Sequence, residues 1–355
     1  MRLGIIGLPL SGKTTVFNVL TRGDQPVVTS GGRFEVHTAV IDVPDLRLEQ
    51  IAALSNPDKI IFAKVTYADI AGLGSSTGGE ISGQLLNQLS QMDGFLHVVR
   101  CFENANVPHI SGDVDPQRDI EAMDGELLLN DLMMVERKLE RLEDERRKGG
   151  GREKSQIEHE LDLFERMQLA LSDEQHLRDI EFAPDEERIL TGFGLLTRKP
   201  VLVLLNLGED QQAPRIEYPH AHSAVTSLQA QIEMEIAQLP ADEGRIFLEE
   251  YGIDEPGMER IIRLSYNLLG LISFFTITED EVRAWTIARG GTAHEASGMI
   301  HSDIYKGFIR AEIIPWDEMV ELGSLSQARS LGKLRLEGKD YILQDGEVMQ
   351  VRFHI

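Results

Sequence analysis

Leu3 to Ile6 is a short apolar run that stops at Gly7, and after a Gly/Pro/Ser loop the apolar positions from Thr14 to Leu20 recur at helical spacing. The order is strand, loop, helix. From Gly23 to Phe34 the chain is rich in Gly, Ser, Thr and Asp with no sustained period, so it reads as a loop before a strand at Thr38 to Val43. Phe62 to Tyr67 and Phe95 to Phe102 have the length and composition of buried parallel strands, with the Gly-rich stretch Gly72 to Gly83 and an amphipathic helix between them. Pro200 to Leu205 is another apolar strand, ending at Asn206, and Ser223 to Ser227 is a further candidate. Alternation of strands and helices predicts an α/β fold with a doubly wound, mostly parallel sheet.

The pattern changes after Pro116. Leu128, Leu132, Val135, Leu139 and Leu142 follow the four-three spacing of a coiled-coil seam amid dense charge. The helix breaks at Lys148-Gly149-Gly150-Gly151, and Ile157, Leu161, Phe164 and Leu171 resume the seam, which predicts an antiparallel helical hairpin inserted in the α/β domain. From about Phe274, short alternating segments broken by Gly-Gly, Gly-Lys and Asp-Gly turns predict a small, mostly β domain. The expected organisation is therefore 1–115 and 191–273 for the α/β domain, 116–190 for the hairpin and 274–355 for the C-terminal domain.

Composition narrows the function. The 355 residues are too many for one core, and 42% hydrophobic with 26% charged residues is an ordinary globular mixture. A formal charge of −24 excludes a general nucleic-acid coat unless basic residues are segregated. They are segregated at the hairpin tip, where Arg146, Arg147, Lys148, Arg152 and Lys154 meet one acid, Glu153. From Arg283 onward the chain is near neutral, with 9 basic and 10 acidic residues, and offers a second contact. One cysteine, Cys101, can form neither an internal disulfide nor a thiolate cage, and it reads as a buried strand residue. The sequence has no signal-peptide core and no long apolar run, so a cytoplasmic protein with no membrane partner is expected.

Gly7-Leu8-Pro9-Leu10-Ser11-Gly12-Lys13-Thr14 matches GxxxxGK[ST] between a predicted strand and a predicted helix. Glycines let the backbone curl so that N–H groups face β- and γ-phosphates; Lys13 adds a point charge, and the Thr14 hydroxyl can ligate Mg²⁺, with Thr15 continuing the helix. Asp69-Ile70-Ala71-Gly72 follows the second strand, where such NTPases place an acid near Mg²⁺ and a glycine that senses the γ-phosphate. The next residue is Leu73, where many GTPases carry the glutamine that orients water. Asn206-Leu207-Gly208-Glu209 stands where GTPases carry N-K-x-D. Leu207 replaces the lysine and the longer Glu209 the aspartate, so the main guanine contact is lost and adenine becomes acceptable.

With GLPLSGKTTVFNVL, DIAGL, HVVRCFEN, NLGE, EVRAWTI and KGFIRAE together, the chain resembles the YchF/Obg-like ATPase family along nearly its whole length. That resemblance implies a P-loop nucleotide-binding domain, the inserted hairpin and a C-terminal TGS domain of ubiquitin-like β-grasp fold. It also implies a hydrophobic residue in place of the catalytic glutamine, hydrolysis of ATP in preference to GTP with Mg²⁺ as cofactor, and association with ribosomes. It places the family's proposed catalytic histidine at His109, which joins Lys13 and Leu73 as the candidate catalytic set. Trp285 and Phe308 read as core of the small domain.

The chain departs from the family pattern at several points. The P-loop reads LSGKTT rather than NVGKST, the segment after DIAGL is shortened to Gly74 to Gly83, and Arg33 precedes Phe34-Glu35-Val36 where switch I normally carries threonine, the nearest being Thr38. The family's redox-sensitive cysteine is replaced by Gly32. The ribosomal RNA contact is assigned to the hairpin tip and the TGS-like domain. Two other functions compete with an ATPase: a nucleotide-sensing adaptor with little turnover, favoured by the shortened switch II, and a GTP-preferring translation-type GTPase.

Overall fold

The apolar run Arg2–Ile6 forms strand β1, buried from Leu3 onward because it lies in the middle of a sheet covered on both faces. The computed structural model describes residues 1–21, 28–30, 36–70, 83–149, 151–209, 211–237, 239 and 256–354. Gly72, Leu73, Gly32 and the Arg33-Phe34-Glu35 segment lie outside these described residues.

Seven strands make the first sheet: β1, β2 (Val28–Ser30), β3 (Val36–Asp42), β5 (Lys64–Ile70), β6 (Gly94–Arg100), β7 (Val201–Asn206) and β8 (Ser223–Leu228), in the order β2-β3-β5-β1-β6-β7-β8. β1 pairs in parallel with β5 and β6, and β6, β7 and β8 continue in parallel. Register matters for function. Ile5 is opposite Asp69, Ile6 opposite His97, and Arg100 opposite Asn206, so four carboxyl-terminal strand ends meet at one edge of the sheet. That edge, where strand order reverses around β1, is where open α/β sheets bind ligands. Helices α1 (Lys13–Thr21) and α3 (Gly83–Ser90) come after β1 and β5 respectively.

The hairpin consists of α4 (Pro116–Lys148) and α5 (Lys154–Ser172). Asp115 caps α4 by accepting from Arg118 N–H, Pro116 opens it, and Gly149, with φ of 71°, closes it. Leu128, Val135, Leu139, Leu142, Ile157, Leu161, Phe164 and Leu171 fill one core, with Leu132 packed partly against it. Asp131 ties this core to the sheet. Its buried carboxylate accepts from Leu196 N–H (2.9 Å), Thr197 N–H (2.7 Å) and the Thr197 hydroxyl (2.6 Å).

The chain divides into two compact units, Met1–Ala39 with Thr66–Met258, and Val40–Val65 with Glu259–Ile355. The second contains a six-stranded sheet: β4 (Lys59–Ile61), β9 (Leu271–Ile277), β10 (Glu281–Ala288), β11 (Phe308–Pro315), β12 (Arg335–Glu337) and β13 (Glu347–Phe353), in the order β12-β11-β13-β9-β10-β4. Two features differ from the boundaries drawn on periodicity. The break at 273/274 falls inside β9, whose run of five buried residues is core to this sheet. Residues 40–65 belong to the second unit as well. β4 pairs with β10, and α2 (Leu46–Ser55) buries Leu48, Ile51 and Ala52. Arg47 pairs with both Asp45 and Asp345, at 2.9 Å each. The unit also carries four short helices, Ala293–Ile300, Ser302–Lys306, Trp316–Leu322 and Leu325–Ser330, that the alternating pattern does not announce. Phe308 is buried in its core, with Trp285 packed partly against it. No helix among the described residues is long and apolar enough to cross a membrane.

Removing the Asp131 carboxylate leaves two buried N–H groups without an acceptor, so Asp131→Ala is expected to lower stability by about 2–3 kcal/mol. Asp131→Asn, which keeps one carbonyl oxygen, loses less. Urea unfolding followed by circular dichroism measures both, and an Asp131→Ala midpoint equal to wild type would contradict the anchoring role.

Candidate nucleotide site

The loop after β1 curls tightly enough that side chains would collide. A Cβ on Gly7 would strike the Val98 carbonyl oxygen, and one on Gly12 would strike Asn206 Nδ2; their φ values, 148° and 95°, are also ones that L side chains rarely adopt. Leu10 takes φ of 64°, left-handed for a non-glycine residue, with its side chain half exposed. Successive turns of this kind point backbone N–H groups into one concavity, an arrangement suited to an anion. α1 starts at Lys13, so its N-terminal N–H groups and dipole add to the same field.

Lys13 Nζ donates to the carbonyls of Gly7 and Leu8, at 2.9 Å each, which holds the ammonium over the loop. Burial pushes its pKa below the ordinary lysine value, and Asp69 opposes that shift. The Thr14 hydroxyl donates to Asp69 Oδ2 at 2.9 Å. A hard divalent cation takes oxygen ligands, so this hydroxyl and carboxylate, both at the mouth of the loop, have the right chemistry for Mg²⁺. Leu8, Pro9 and Ser11 line the inner side of the loop, and Thr15 lies in α1.

Asn206, at the end of β7, donates from Nδ2 to Ser11 O at 3.0 Å and so fastens the base-reading segment to the P-loop. Leu207 is buried, which accounts for an apolar residue where GTPases carry lysine. Gly208 N–H donates to Gln211 Oε1 at 2.9 Å, and Gln211 Nε2 donates to Cys101 O at 2.8 Å, so the loop is braced against the end of β6. Glu209 is exposed beside this turn.

His109 is not a solvated loop imidazole. It is buried, its Nδ1 accepts from Ser111 N–H at 3.1 Å, and its Nε2–H donates to Asp119 Oδ2 at 2.8 Å. Those two partners fix the tautomer and occupy both ring nitrogens. Arg118 donates to the other Asp119 oxygen at 3.0 Å. His109 and Asp119 line the same small cavity as Leu8, Pro9 and Ser11, which also contains His97. His97, which opens the HVVRCFEN segment, has no role assigned from the sequence. Burial pushes its pKa down to about 4, with Lys13 and Arg178 lowering it further, so it is neutral near pH 7. Arg100, on the same strand, is buried and donates to Phe102 O (3.1 Å) and Val107 O (2.6 Å), shaping the loop that carries His109. The signal for both was present in the sequence: two ionisable residues in an otherwise apolar strand run.

At the hairpin tip the basic residues have acidic partners nearby. Arg147 (2.5 Å) and Lys148 (3.3 Å) pair with Asp144, Arg152 pairs with Glu145 and Glu160, and Lys154 pairs with Glu158. Arg146 is exposed.

The glycine-curled loop, the lysine, the threonine–aspartate pair and the strand-end asparagine define a P-loop nucleoside triphosphatase. Residues 271–354 match the family model YchF-GTPase_C, described as a protein of unknown function (DUF933). The chain is 39% identical to the Ribosome-binding ATPase YchF of Haemophilus ducreyi, covering 100% of this chain and 99% of that one. It is 37% identical to the protein of the same name from Bacillus subtilis, covering 99% of each. The solved structure titled as the Schizosaccharomyces pombe YchF GTPase superposes with a TM-score of 0.84 at 29% identity, over 99% of this chain and 97% of that one. The chain belongs to the YchF family.

Cys101 is the free thiol, and burial, reinforced by Asp119, pushes its pKa up to about 12. Native protein at pH 8 is therefore expected to react very slowly with a thiol reagent, while protein unfolded in guanidinium releases one equivalent promptly. Fast reaction of the native protein would contradict this burial.

Proposed function

We propose that this protein hydrolyses ATP with Mg²⁺ and acts as a ribosome-associated switch. The observation that carries the reading is the convergence of the P-loop, the Thr14–Asp69 pair and Asn206 at one edge of the sheet. The names of its relatives, ribosome-binding ATPases, point the same way. The S. pombe relative is titled a GTPase, but Glu209 and the buried Leu207 favour adenine here, because neither reproduces the lysine and aspartate that hold guanine. Thr14 and Asp69 would hold Mg²⁺, which supplies charge neutralisation between β- and γ-phosphates. Gly7 to Gly12 and the start of α1 bind the phosphates, and Lys13 leaves the two carbonyls for a phosphate oxygen.

His109 is assigned to ordering the attacking water once it is released from Asp119, since leucine at 73 has no polar atom for that task. The surface that meets ribosomal RNA is the hairpin tip, with the TGS-like C-terminal domain as a second contact. The exposed ion pairs at the tip are individually weak, so phosphates can replace their carboxylate partners.

Phosphate release from ATP, with and without ribosomes, tests the reading. Wild type is expected to turn over slowly and faster with ribosomes, and Lys13→Ala is expected to lose tight ATP binding. Unchanged affinity in Lys13→Ala would remove the P-loop from the function. His109→Ala is expected to lower kcat while leaving ATP affinity nearly intact, because the loss falls on the transition state. Unaltered turnover would make His109 a structural residue only.

A further inference from the structure

A second cluster of ionisable side chains lies at the base of the hairpin. Asp124 on α4, His176 in the segment after α5, and His220 in the connection between β7 and β8 each bring one ligand atom within 4.8 Å of the others. The set is mixed, with two imidazoles and a carboxylate. His176 is 2% exposed, and its Nε2 has no hydrogen-bond partner although it sits 3.5 Å from Asp124 Oδ1. His220 Nδ1 lies 2.8 Å from Asp179 Oδ2 and 3.2 Å from His176 Nδ1.

Proton accounting leaves this arrangement incomplete. An ionised carboxylate accepts only, so the proton on His220 Nδ1 goes to Asp179. His176 Nδ1 then faces a nitrogen whose proton is already committed, and His176 Nε2 has only the long 3.5 Å approach to Asp124 Oδ1. A buried ring nitrogen left this way is unfavourable. The surrounding charge does not repair it. Two carboxylates, Asp124 and Asp179, face one guanidinium, Arg178, which lies 3.8 Å from Asp124 and donates to Tyr218 OH at 2.7 Å. Tyr218 OH in turn donates to Asp124 Oδ1 at 3.2 Å. The carboxylates in the pocket thus outnumber the guanidinium by one.

We propose that Asp124, His176 and His220 form a site for a divalent transition metal, of which Zn²⁺ fits best. Ligands on a tetrahedral zinc, at about 2.0–2.1 Å from the ion, stand roughly 3.3 Å apart, close to the 3.5 Å between His176 Nε2 and Asp124 Oδ1. His220, with Nδ1–H held by Asp179, would offer Nε2 to the ion, and a carboxylate on the far nitrogen is the usual orienting partner of a metal-bound histidine. Two imidazoles select borderline metals over Mg²⁺, which prefers oxygen alone. Entry is open because the His220 and Asp179 side chains are 24% and 21% exposed. The fourth position belongs to water. The ligands come from the first hairpin helix, the segment after the second, and the connection that follows the base-reading loop, so the ion joins those three segments at the hairpin base.

The test uses the full, tag-free chain, freed of metal by chelator and kept without nucleotide. Titration with Co²⁺ is expected to give the visible absorption of a low-coordinate N/O site, saturating at about one equivalent and abolished by Zn²⁺ but not by excess Mg²⁺. Zn²⁺ is also expected to raise the thermal midpoint. His176→Gln and His220→Gln lose the signal, Asp179→Asn weakens binding about 10–100-fold, and His159→Gln, at an exposed pair elsewhere on the hairpin, keeps it. If His176→Gln fails to fold, the partly exposed His220→Gln carries the comparison. No Co²⁺ absorption in wild type, or an unchanged titration in His220→Gln, would overturn the site.

Discussion

The close approach of the loop backbone to its neighbours at Gly7 and Gly12 is the constraint on which the site depends. The first glycine presses on the Val98 carbonyl of β6 and the second on the Asn206 amide at the end of β7, so the loop is clamped between the two strands beyond β1. A methyl group at either position would push the loop away from its neighbours. The clamp explains why Leu10 tolerates a left-handed backbone, why Lys13 reaches two loop carbonyls, and why Thr14 meets Asp69. Parallel register supplies the rest, since the same strand ends that hold the loop also carry Asp69 and Asn206.

Behind the loop, polar side chains are buried at considerable cost unless each is paired, and here most are. Arg100 binds the carbonyls of the segment that follows it, Asp119 binds both His109 and Arg118, and Asp131 binds the 196–197 backbone. These bonds connect the nucleotide edge to the start of the hairpin through a short chain of charge-assisted contacts. The hairpin itself is held by an apolar seam of the ordinary coiled-coil kind, which specifies a straight arm but no chemistry. Chemistry is concentrated at its two ends, in the basic tip and in the histidine–aspartate cluster at the base.

Local patterns were legible in the sequence. The P-loop, the strand before it, the hairpin seam with its glycine break, and the strand ending at Asn206 all follow from residues near one another in the chain. Long-range pairings were not. β4 is only three residues long, Lys59-Ile60-Ile61, and its partner β10, more than two hundred positions away, makes it a strand. His97 and Arg100 were hidden because a strand buried on both faces reads as uniformly apolar, so its two ionisable residues pass for interruptions. Asp119 and Asp124 look like solvated positions on a charged helix, yet both face inward where α4 meets the rest of its unit. The tip cations look unopposed in the sequence because their partners, Asp144, Glu145, Glu158 and Glu160, lie just outside the window that contains them.

The central claim is that the clamped loop is a phosphate cradle whose neighbouring Asn206 to Glu209 segment admits adenine. Calorimetric titration of the nucleotide-free protein with ATP and GTP, each with and without Mg²⁺, tests it most directly. The account predicts tighter binding of ATP than of GTP, and weaker ATP binding when Mg²⁺ is withdrawn from Thr14 and Asp69. Equal or tighter binding of GTP would contradict the reading of Glu209, and no binding of either triphosphate would contradict the cradle itself.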